Sequence, residues 1–195
     1  VIAHDVRHKS KEFTEIAARV FATMGIKCYI FDDIRPTPML SYAVRYLKTQ
    51  AGIVITASHN PRDYNGYKVY WDEGSQILDD IANEIEKNIQ GSDYSIEGLM
   101  SLEEAKVKGL VEVLSHDLDK SYFEETLKRR IHEADELDLG IKIVYTPLNG
   151  TGNKPVRHIL NERGFKNVEV VAEQENPDPD FKTVGYPNPE DVAAF

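Results

Sequence analysis

The alternation of two hydrophobic periodicities constrains the fold of this chain more than any other feature. Apolar residues recur at helical spacing in segments 10–24, 40–47 and 78–89. The runs KCYIF and GIVIT lie between these segments and are typical of buried strands. Because strands that alternate with helices through short connections pair mainly in parallel, the pattern predicts an α/β fold with a mixed, mostly parallel sheet covered by helices.

The same pattern divides the chain into two predicted domains, each expected to be a three-layer α/β/α unit. Residues 1–95 carry the first alternation. Residues 117–195 repeat it, with the strand-like runs IKIVYTP and NVEVVAE on either side of a helical segment. The pattern weakens over residues 96–116, which we interpret as a connection between the domains with one or two short helical turns.

Composition excludes several classes of partner. The chain has 23 basic and 33 acidic residues and a formal net charge of −10. This balance argues against a broad surface for nucleic acid or for an anionic membrane, which needs clustered Lys and Arg, and it leaves room for a local basic pocket that binds a small anion. No apolar run approaches the ~20 residues of a membrane-spanning helix. Cys28 is the only cysteine, which excludes an intrachain disulfide and fits a reducing compartment, so a cytoplasmic location is expected.

The sequence GIVITASHNPRDYNGYKVY, residues 52–70, places polar groups at the end of a predicted buried strand. Ser58 and His59 follow the strand in a loop tightened by Asn60-Pro61, and Lys68 lies in the next apolar run. Ligands of open α/β sheets bind where strands end and loops begin. A hydroxyl, an imidazole and an ammonium group at that position together suit an anionic ligand, phosphate above all.

The residues of this stretch alone leave other interpretations open. Serine and asparagine are common turn formers, and Asn65-Gly66 between two extended runs is typical of a hairpin turn. A serine hydrolase is a second functional interpretation. Against it, Ser58 and His59 are adjacent in an extended loop and point in different directions, and no Gly-x-Ser-x-Gly sequence surrounds Ser58.

The segment TASHNPRDYNGYK resembles the phosphoserine loop of the α-D-phosphohexomutase superfamily, which contains the phosphoglucomutases and phosphomannomutases. Four further segments resemble other motifs of this family: HDVRHKS, RPTPMLSYAVR, YTPLNGTGNKPVR and EQENPDPDFKTVGYPNPE. The runs NKPVR and YKVY are most similar to the branch that contains bacterial phosphoglucomutases and phosphopentomutases. One departure is Asn149, where many members of the family have histidine.

This resemblance implies roles for the loop residues. Ser58 would carry a phosphoryl group and exchange it between the 1- and 6-positions of a sugar phosphate, or the 1- and 5-positions of a pentose phosphate. A bisphosphorylated sugar would be both the intermediate and the activator. Lys68 would stabilise negative charge, and His59 would orient the hydroxyl or exchange a proton with the sugar. Asn60 and Asn65 are expected to shape the loop and to contribute to phosphate binding.

Two further expectations concern Arg7 and a metal ion. Arg7, at the end of the first strand, is a candidate phosphate contact, and a structural arginine in an ion pair is the alternative. The resemblance also implies Mg²⁺ bound by an oxygen of phosphorylated Ser58 and by an Asp-x-Asp-x-Asp-Arg loop. The sequence does not contain that loop, which would lie beyond Phe195. Asp178-Pro-Asp180 has the nearest spacing and belongs to a different family motif.

The resemblance further implies that this sequence is part of a four-domain protein. It would cover domain I without its N-terminal portion and much of domain II, whereas domains III and IV would lie outside it. Because the metal loop and the sugar-recognition loops would also lie outside, the 195-residue polypeptide is expected to be inactive on its own. The alternative from another functional class is a non-catalytic module that binds sugar phosphates while Ser58 stays unphosphorylated.

Overall fold

The computed structural model describes residues 1–92 and 94–195. Its strands are β1 (Ile2–His4), β2 (Cys28–Phe31), β3 (Ala51–Ile55), β4 (Tyr67–Trp71), β5 (Val111–Leu114), β6 (Ile143–Tyr145) and β7 (Val168–Val170). Its α-helices are α1 (Ser10–Thr23), α2 (Thr37–Leu47), α3 (Asp79–Ile89), α4 (Leu102–Val107), α5 (His116–Lys128), α6 (Asn153–Glu162) and α7 (Ala172–Glu175). These elements confirm the α/β class expected from the alternating pattern.

The first unit is built on a five-stranded sheet in the order β4-β3-β1-β2-β5. Three of its pairs are parallel, and β4 is antiparallel to β3. Alternate residues of the central strands face opposite sides of the sheet. Ile2 and Ile53 pack against α1 and α4, whereas Ala3 and Val54 pack against α2 and α5. The sheet is therefore mixed, mostly parallel and covered on both faces.

The second unit contains a two-stranded parallel sheet, in which β6 pairs with β7 and α6 forms the crossover. The strands are short and only half-buried, and Val144 is 72% exposed. Helix α6 packs against α5 of the first unit, where the rings of Phe123 and His158 lie 4.1 Å apart. A separate apolar cluster of Phe181, Val184 and Ala194 packs against Val6 and Leu148.

The segment 96–116, which we expected to be a connection with one or two short helical turns, also contributes a strand to the first sheet. It contains the expected short helix, α4, and the strand β5, which pairs in parallel with β2 along its whole length. Ser101 caps α4 by accepting a hydrogen bond from the backbone of Glu104. The sequence VEVL is brief and lies among charged residues, so its pattern is too weak to identify a strand without the neighbouring β2.

Across the described residues, no helix has both the length and the apolar composition that crossing a bilayer demands.

Candidate active site

The loop at residues 56–66 connects β3 to β4 and presents Ser58 at the carboxyl end of the sheet. Its base is closed by a hydrogen bond from the Thr56 amide to the Gly66 carbonyl, 3.0 Å long, which extends the antiparallel ladder of the two strands. A Cβ atom on Gly66 would approach the Thr56 oxygen to 2.6 Å, so this closure requires glycine. Asn65-Gly66 thus closes a longer loop and does not form the two-residue hairpin turn that remained open from the sequence.

Ser58 has a left-handed backbone conformation, with φ 54°, and its side chain is exposed. Its amide donates to Thr56 Oγ1 at 3.0 Å, so a side chain at the end of the strand fixes the local turn. Serine at positive φ is uncommon, and such conformations persist only where the surrounding contacts enforce them.

Lys68 is a predicted site residue whose side chain reaches the hydroxyl of Ser58. Its Nζ donates to Ser58 Oγ at 2.5 Å. The register of the sheet makes this contact possible, because Lys68 pairs with Val54 on β3, next to the start of the loop. An ammonium group that donates to the serine oxygen stabilises negative charge there, on the hydroxyl or on a phosphoryl group attached to it.

His59 and Asn60 are both exposed. Within residues 1–92 and 94–195, neither side chain is hydrogen-bonded, and Ser58 Oγ has Lys68 Nζ, not the His59 imidazole, as its partner. Asn60 contributes through its backbone, since its amide donates to the Ala57 carbonyl at 3.0 Å. The two side chains are available to a ligand above the loop.

Arg7 lies beneath the loop and is 3% exposed. Its Nη1 donates to the carbonyls of Pro61 at 2.7 Å and Tyr64 at 3.1 Å, and its Nη2 donates to the carbonyls of Ser58 at 2.9 Å and Asn60 at 2.5 Å. This geometry argues against the phosphate contact that we expected, because both terminal nitrogens are buried and already bonded to the protein. Arg7 instead holds the backbone of the serine loop from below.

The charge on Arg7 is balanced by Asp5, whose Oδ2 lies 3.3 Å from Arg7 Nε. This ion pair is the structural alternative that the sequence left open. Burial lowers the pKa of Arg7 from its ordinary value, and the attraction of Asp5 partly opposes that shift. Nε itself has no hydrogen-bond partner among the described residues.

Asp5 organises a network that sequence reasoning missed. Its Oδ2 accepts from Thr56 Oγ1 at 2.6 Å, and its Oδ1 accepts from Ser10 Oγ at 2.8 Å and from the Arg7 amide at 2.9 Å. Thr56 in turn accepts from the Ser58 amide, so Asp5 reaches the serine through one intervening hydroxyl. The signal was present in HDVRHKS, where an acidic residue follows β1, but its partner lies on another strand.

Asn65 shapes the loop as expected. Its Nδ2 donates to the His8 carbonyl at 3.1 Å and to Ser10 Oγ at 2.9 Å, and its Oδ1 accepts from the Gly66 amide at 2.8 Å. These bonds tie the end of the loop to the start of α1. Because both ends of its amide are used in this way, the side chain supports the loop rather than facing a ligand.

Two residues singled out in the second unit have structural contacts. Asn149 is buried, its Nδ2 donates to the Asn176 carbonyl at 2.9 Å, and its Oδ1 accepts from Thr183 at 2.9 Å. Asp178 accepts from the amides of Asp180 and Lys182 at 3.0 and 3.1 Å, which forms a turn.

The expected metal site has one candidate ligand in this chain, the phosphorylated form of Ser58. The other ligands were expected beyond Phe195. No group of three or more potential metal-ligating side chains occurs in the part of the chain that the structure describes. The metal therefore stays a prediction.

Two family models match the chain. Residues 1–95 match "Phosphoglucomutase/phosphomannomutase, alpha/beta/alpha domain I", and residues 120–195 match the corresponding domain II model. The phosphoglucomutase of Staphylococcus haemolyticus is 40% identical over 195 residues, which is 100% of this chain and 35% of that protein. Mouse phosphopentomutase is 39% identical over 93% of this chain and 29% of that protein.

A solved structure has a similar fold. A protein from Thermus thermophilus assigned as a phosphomannomutase has a TM-score of 0.76 and 27% identity, over 94% of this chain and 39% of that one. The chain thus spans about a third of the length of the relatives that it resembles.

Proposed function

Because the chain belongs to the phosphoglucomutase/phosphomannomutase family, we propose that the whole protein is a phosphosugar mutase that works through phosphorylated Ser58. It interconverts a sugar 1-phosphate with the 6-phosphate. The observation that carries this proposal is the hydrogen bond from Lys68 Nζ to Ser58 Oγ at the exposed tip of a strand-end loop. A phosphoserine has a charge of about −1.5 to −2 at pH 7, and a cation in direct contact with its oxygen supports that species.

The proposed reaction begins with transfer from the enzyme to the sugar. The bond between phosphorus and Ser58 Oγ breaks, and a bond forms between phosphorus and a free hydroxyl oxygen of the sugar monophosphate. The proton of that hydroxyl leaves to a base, for which His59 is our candidate, and Ser58 Oγ regains a proton. The bisphosphorylated sugar then reorients and returns its other phosphoryl group to Ser58. Lys68 stabilises the charge on Ser58 Oγ in both half-reactions.

Two further parts of the proposal are a metal ion and a small-molecule activator. Mg²⁺ bound to a phosphoryl oxygen on Ser58 would supply additional charge neutralisation. In this proposal the remaining ligands come from an Asp-x-Asp-x-Asp-Arg loop of the whole protein, as the family resemblance implies. A sugar bisphosphate would phosphorylate Ser58 in resting enzyme. A cytoplasmic location is proposed because Cys28 is a buried, free thiol.

The test is made on the whole protein. After incubation with a sugar bisphosphate, intact-mass measurement is expected to find one added phosphoryl group, which peptide mapping assigns to Ser58. Ser58→Ala should abolish both the added mass and the mutase activity, whereas Ser92→Ala, which changes an exposed serine outside the loop, should retain both. Mutase activity in Ser58→Ala would contradict the proposal.

The alternatives differ in what they predict. A non-catalytic module for sugar phosphates would bind the ligand with no phosphoryl group on Ser58 and no turnover. A phosphopentomutase, which the likeness to the mouse enzyme suggests, would become phosphorylated and would favour pentose over hexose phosphates. A panel of glucose, mannose and ribose phosphates in a coupled assay separates these cases.

A further inference from the structure

The Phe181 side chain comes from the second unit and covers the Arg7 guanidinium. Arg7 Cζ lies 5.4 Å from the centre of the Phe181 ring, and Phe181 is 4% exposed. The ring packs in a small apolar cluster with Val184 and against Val6 and Leu148. A residue far along the chain therefore contacts the side chain that holds the serine loop from below.

The backbone of Phe181 is in an uncommon conformation. Its φ is 48°, in the left-handed region that non-glycine residues rarely occupy. The turn is held by bonds from the Phe181 amide to the Asp178 carbonyl at 3.1 Å and from the Gly185 amide to the Phe181 carbonyl at 2.6 Å. Strained residues of this kind cluster at functional sites, where the surrounding structure enforces them. Here the strain places an aromatic ring on Arg7.

A second contact joins the same two segments. His8 Nε2 lies 2.8 Å from Asp180 Oδ1, one residue from each partner of the ring contact. The pair is exposed, so it orients the segments more than it stabilises them. The buried contact between the two segments is the one between the Phe181 ring and the Arg7 guanidinium.

The contact has a physical consequence for the loop. Arg7 donates to four loop carbonyls, and the nearby carboxylate is that of Asp5. A ring over the guanidinium attracts the cation and keeps water away from it, and this attraction strengthens when the pair is desolvated. Without the ring, water would compete with the carbonyls for the Arg7 donors, and the loop would lose its fixed geometry.

We propose that Phe181 is a positioning residue for Ser58, which acts through Arg7 and makes the geometry of the serine loop depend on the second unit. This inference rests on the proposed mutase function, because the position of Ser58 matters only if Ser58 reacts. It assigns Phe181 no contact with the substrate. Misplacement of a reacting group by about 1 Å lowers the rate up to about 10²-fold, so a loosened loop should reduce turnover.

The experiment is a double-mutant cycle in the whole protein, with Phe181→Leu, Arg7→Lys and the combination. The first readout is hydrogen exchange of the amides of residues 57–66, which requires no activity. Phe181→Leu should accelerate this exchange on the order of 10-fold and lower kcat by a comparable factor, with less effect on KM. If Phe181 acts through Arg7, the double variant should match Arg7→Lys in both readouts.

Val184→Ala is the matched control, because Val184 lies in the same cluster and is 5% exposed. It should lower global stability while loop exchange and kcat stay near wild-type values. The proposal is overturned if Phe181→Leu leaves loop exchange unchanged, if Val184→Ala accelerates it equally, or if Phe181→Leu adds fully to Arg7→Lys. If Phe181→Leu does not fold, Phe181→Met, whose longer and unbranched side chain adapts better to a core site, takes its place in the same cycle.

The two proposals fail separately. A wild-type protein without phosphorylated Ser58 or mutase activity contradicts the proposed function, whatever its loop exchange. An active wild-type protein whose Phe181→Leu variant has normal loop exchange and normal kcat contradicts only the positioning role.

Discussion

Two strands of this molecule end in the same local structure, and only one of them carries an active-site candidate. After β3, the Ser58 amide donates to Thr56 Oγ1 at 3.0 Å and Ser58 has φ 54°. After β6, the Leu148 amide donates to Thr146 Oγ1 at 3.0 Å and Leu148 has φ 49°. In both cases a threonine at the strand end fixes a left-handed residue two positions later.

The surroundings of the two turns differ. Thr56 donates to the charged Asp5, whereas Thr146 donates to Gln174, each at 2.6 Å. An antiparallel strand next to β3 supplies Lys68, while β6 has the parallel partner β7. The first turn therefore presents a hydroxyl to a cation and to solvent, and the second packs an apolar side chain against Phe181. The shared turn fixes the backbone in the same conformation at both strand ends. The neighbouring side chains determine whether the turn presents a hydroxyl that can react.

The largest expected effect follows from the cation that only the first turn has. Lys68→Met keeps most of the side chain and removes the charge, so kcat of the whole protein should fall on the order of 10²–10³-fold, with folding retained. Lys154→Met, which removes a cation paired with Asp33 at 3.0 Å, is the control and should leave kcat near wild type. A normal kcat in Lys68→Met would show that the difference in charge between the turns is irrelevant to the reaction.

The shared feature is tested by changing both threonines to valine. Thr56→Val removes the side-chain acceptor of the Ser58 amide and the hydroxyl donor to Asp5 Oδ2, which keeps its ion pair with Arg7. Thr146→Val removes the acceptor of the Leu148 amide and the donor to Gln174 Oε1. Each should lower the free energy of unfolding by about 1–3 kcal/mol, measured by urea denaturation. Only Thr56→Val should also reduce kcat. Equal losses of kcat in the two variants would contradict our inference that only the turn after β3 belongs to the active site.

The smallest effect concerns the exposed contact between His8 and Asp180, which joins the segment beneath the serine loop to the turn that carries Phe181. Hydrogen bonds from His8 and then Lys182 hold the pKa of Asp180 below its ordinary value. A lowered pKa in the folded state stabilises the protein above the pKa of the unfolded state, about 3.9, and this stabilisation is lost as the pH falls through the folded value.

The measurement compares urea midpoints of wild type and Asp180→Asn from pH 7 to pH 3. Wild type should be slightly more stable at pH 7, and the difference should shrink on acidification. Asp63→Asn, at an exposed carboxylate of the serine loop, should show a smaller difference at every pH. If the difference in urea midpoint between wild type and Asp180→Asn grew toward pH 3, the pKa of Asp180 would not be lowered in the folded protein as inferred.

Local pattern predicted the parts of this structure that local sequence determines. The run GIVIT and the polar residues after it identified β3 and Ser58, and the next apolar run contained Lys68. The sequence could not predict that the Arg7 guanidinium points at the backbone of the serine loop, because its contacts with the loop carbonyls join residues more than fifty positions apart. Strand β5 was missed for a similar reason, since its identity depends on pairing with β2.

The left-handed conformation at position 58 has a consequence for the choice of nucleophile. Threonine also has a hydroxyl, but its branched Cβ is strongly disfavoured at positive φ. Aspartate and asparagine tolerate this region. The turn therefore favours serine over threonine. It would also accept, with little cost to the backbone, an aspartate, which carries a negative charge at neutral pH without phosphorylation.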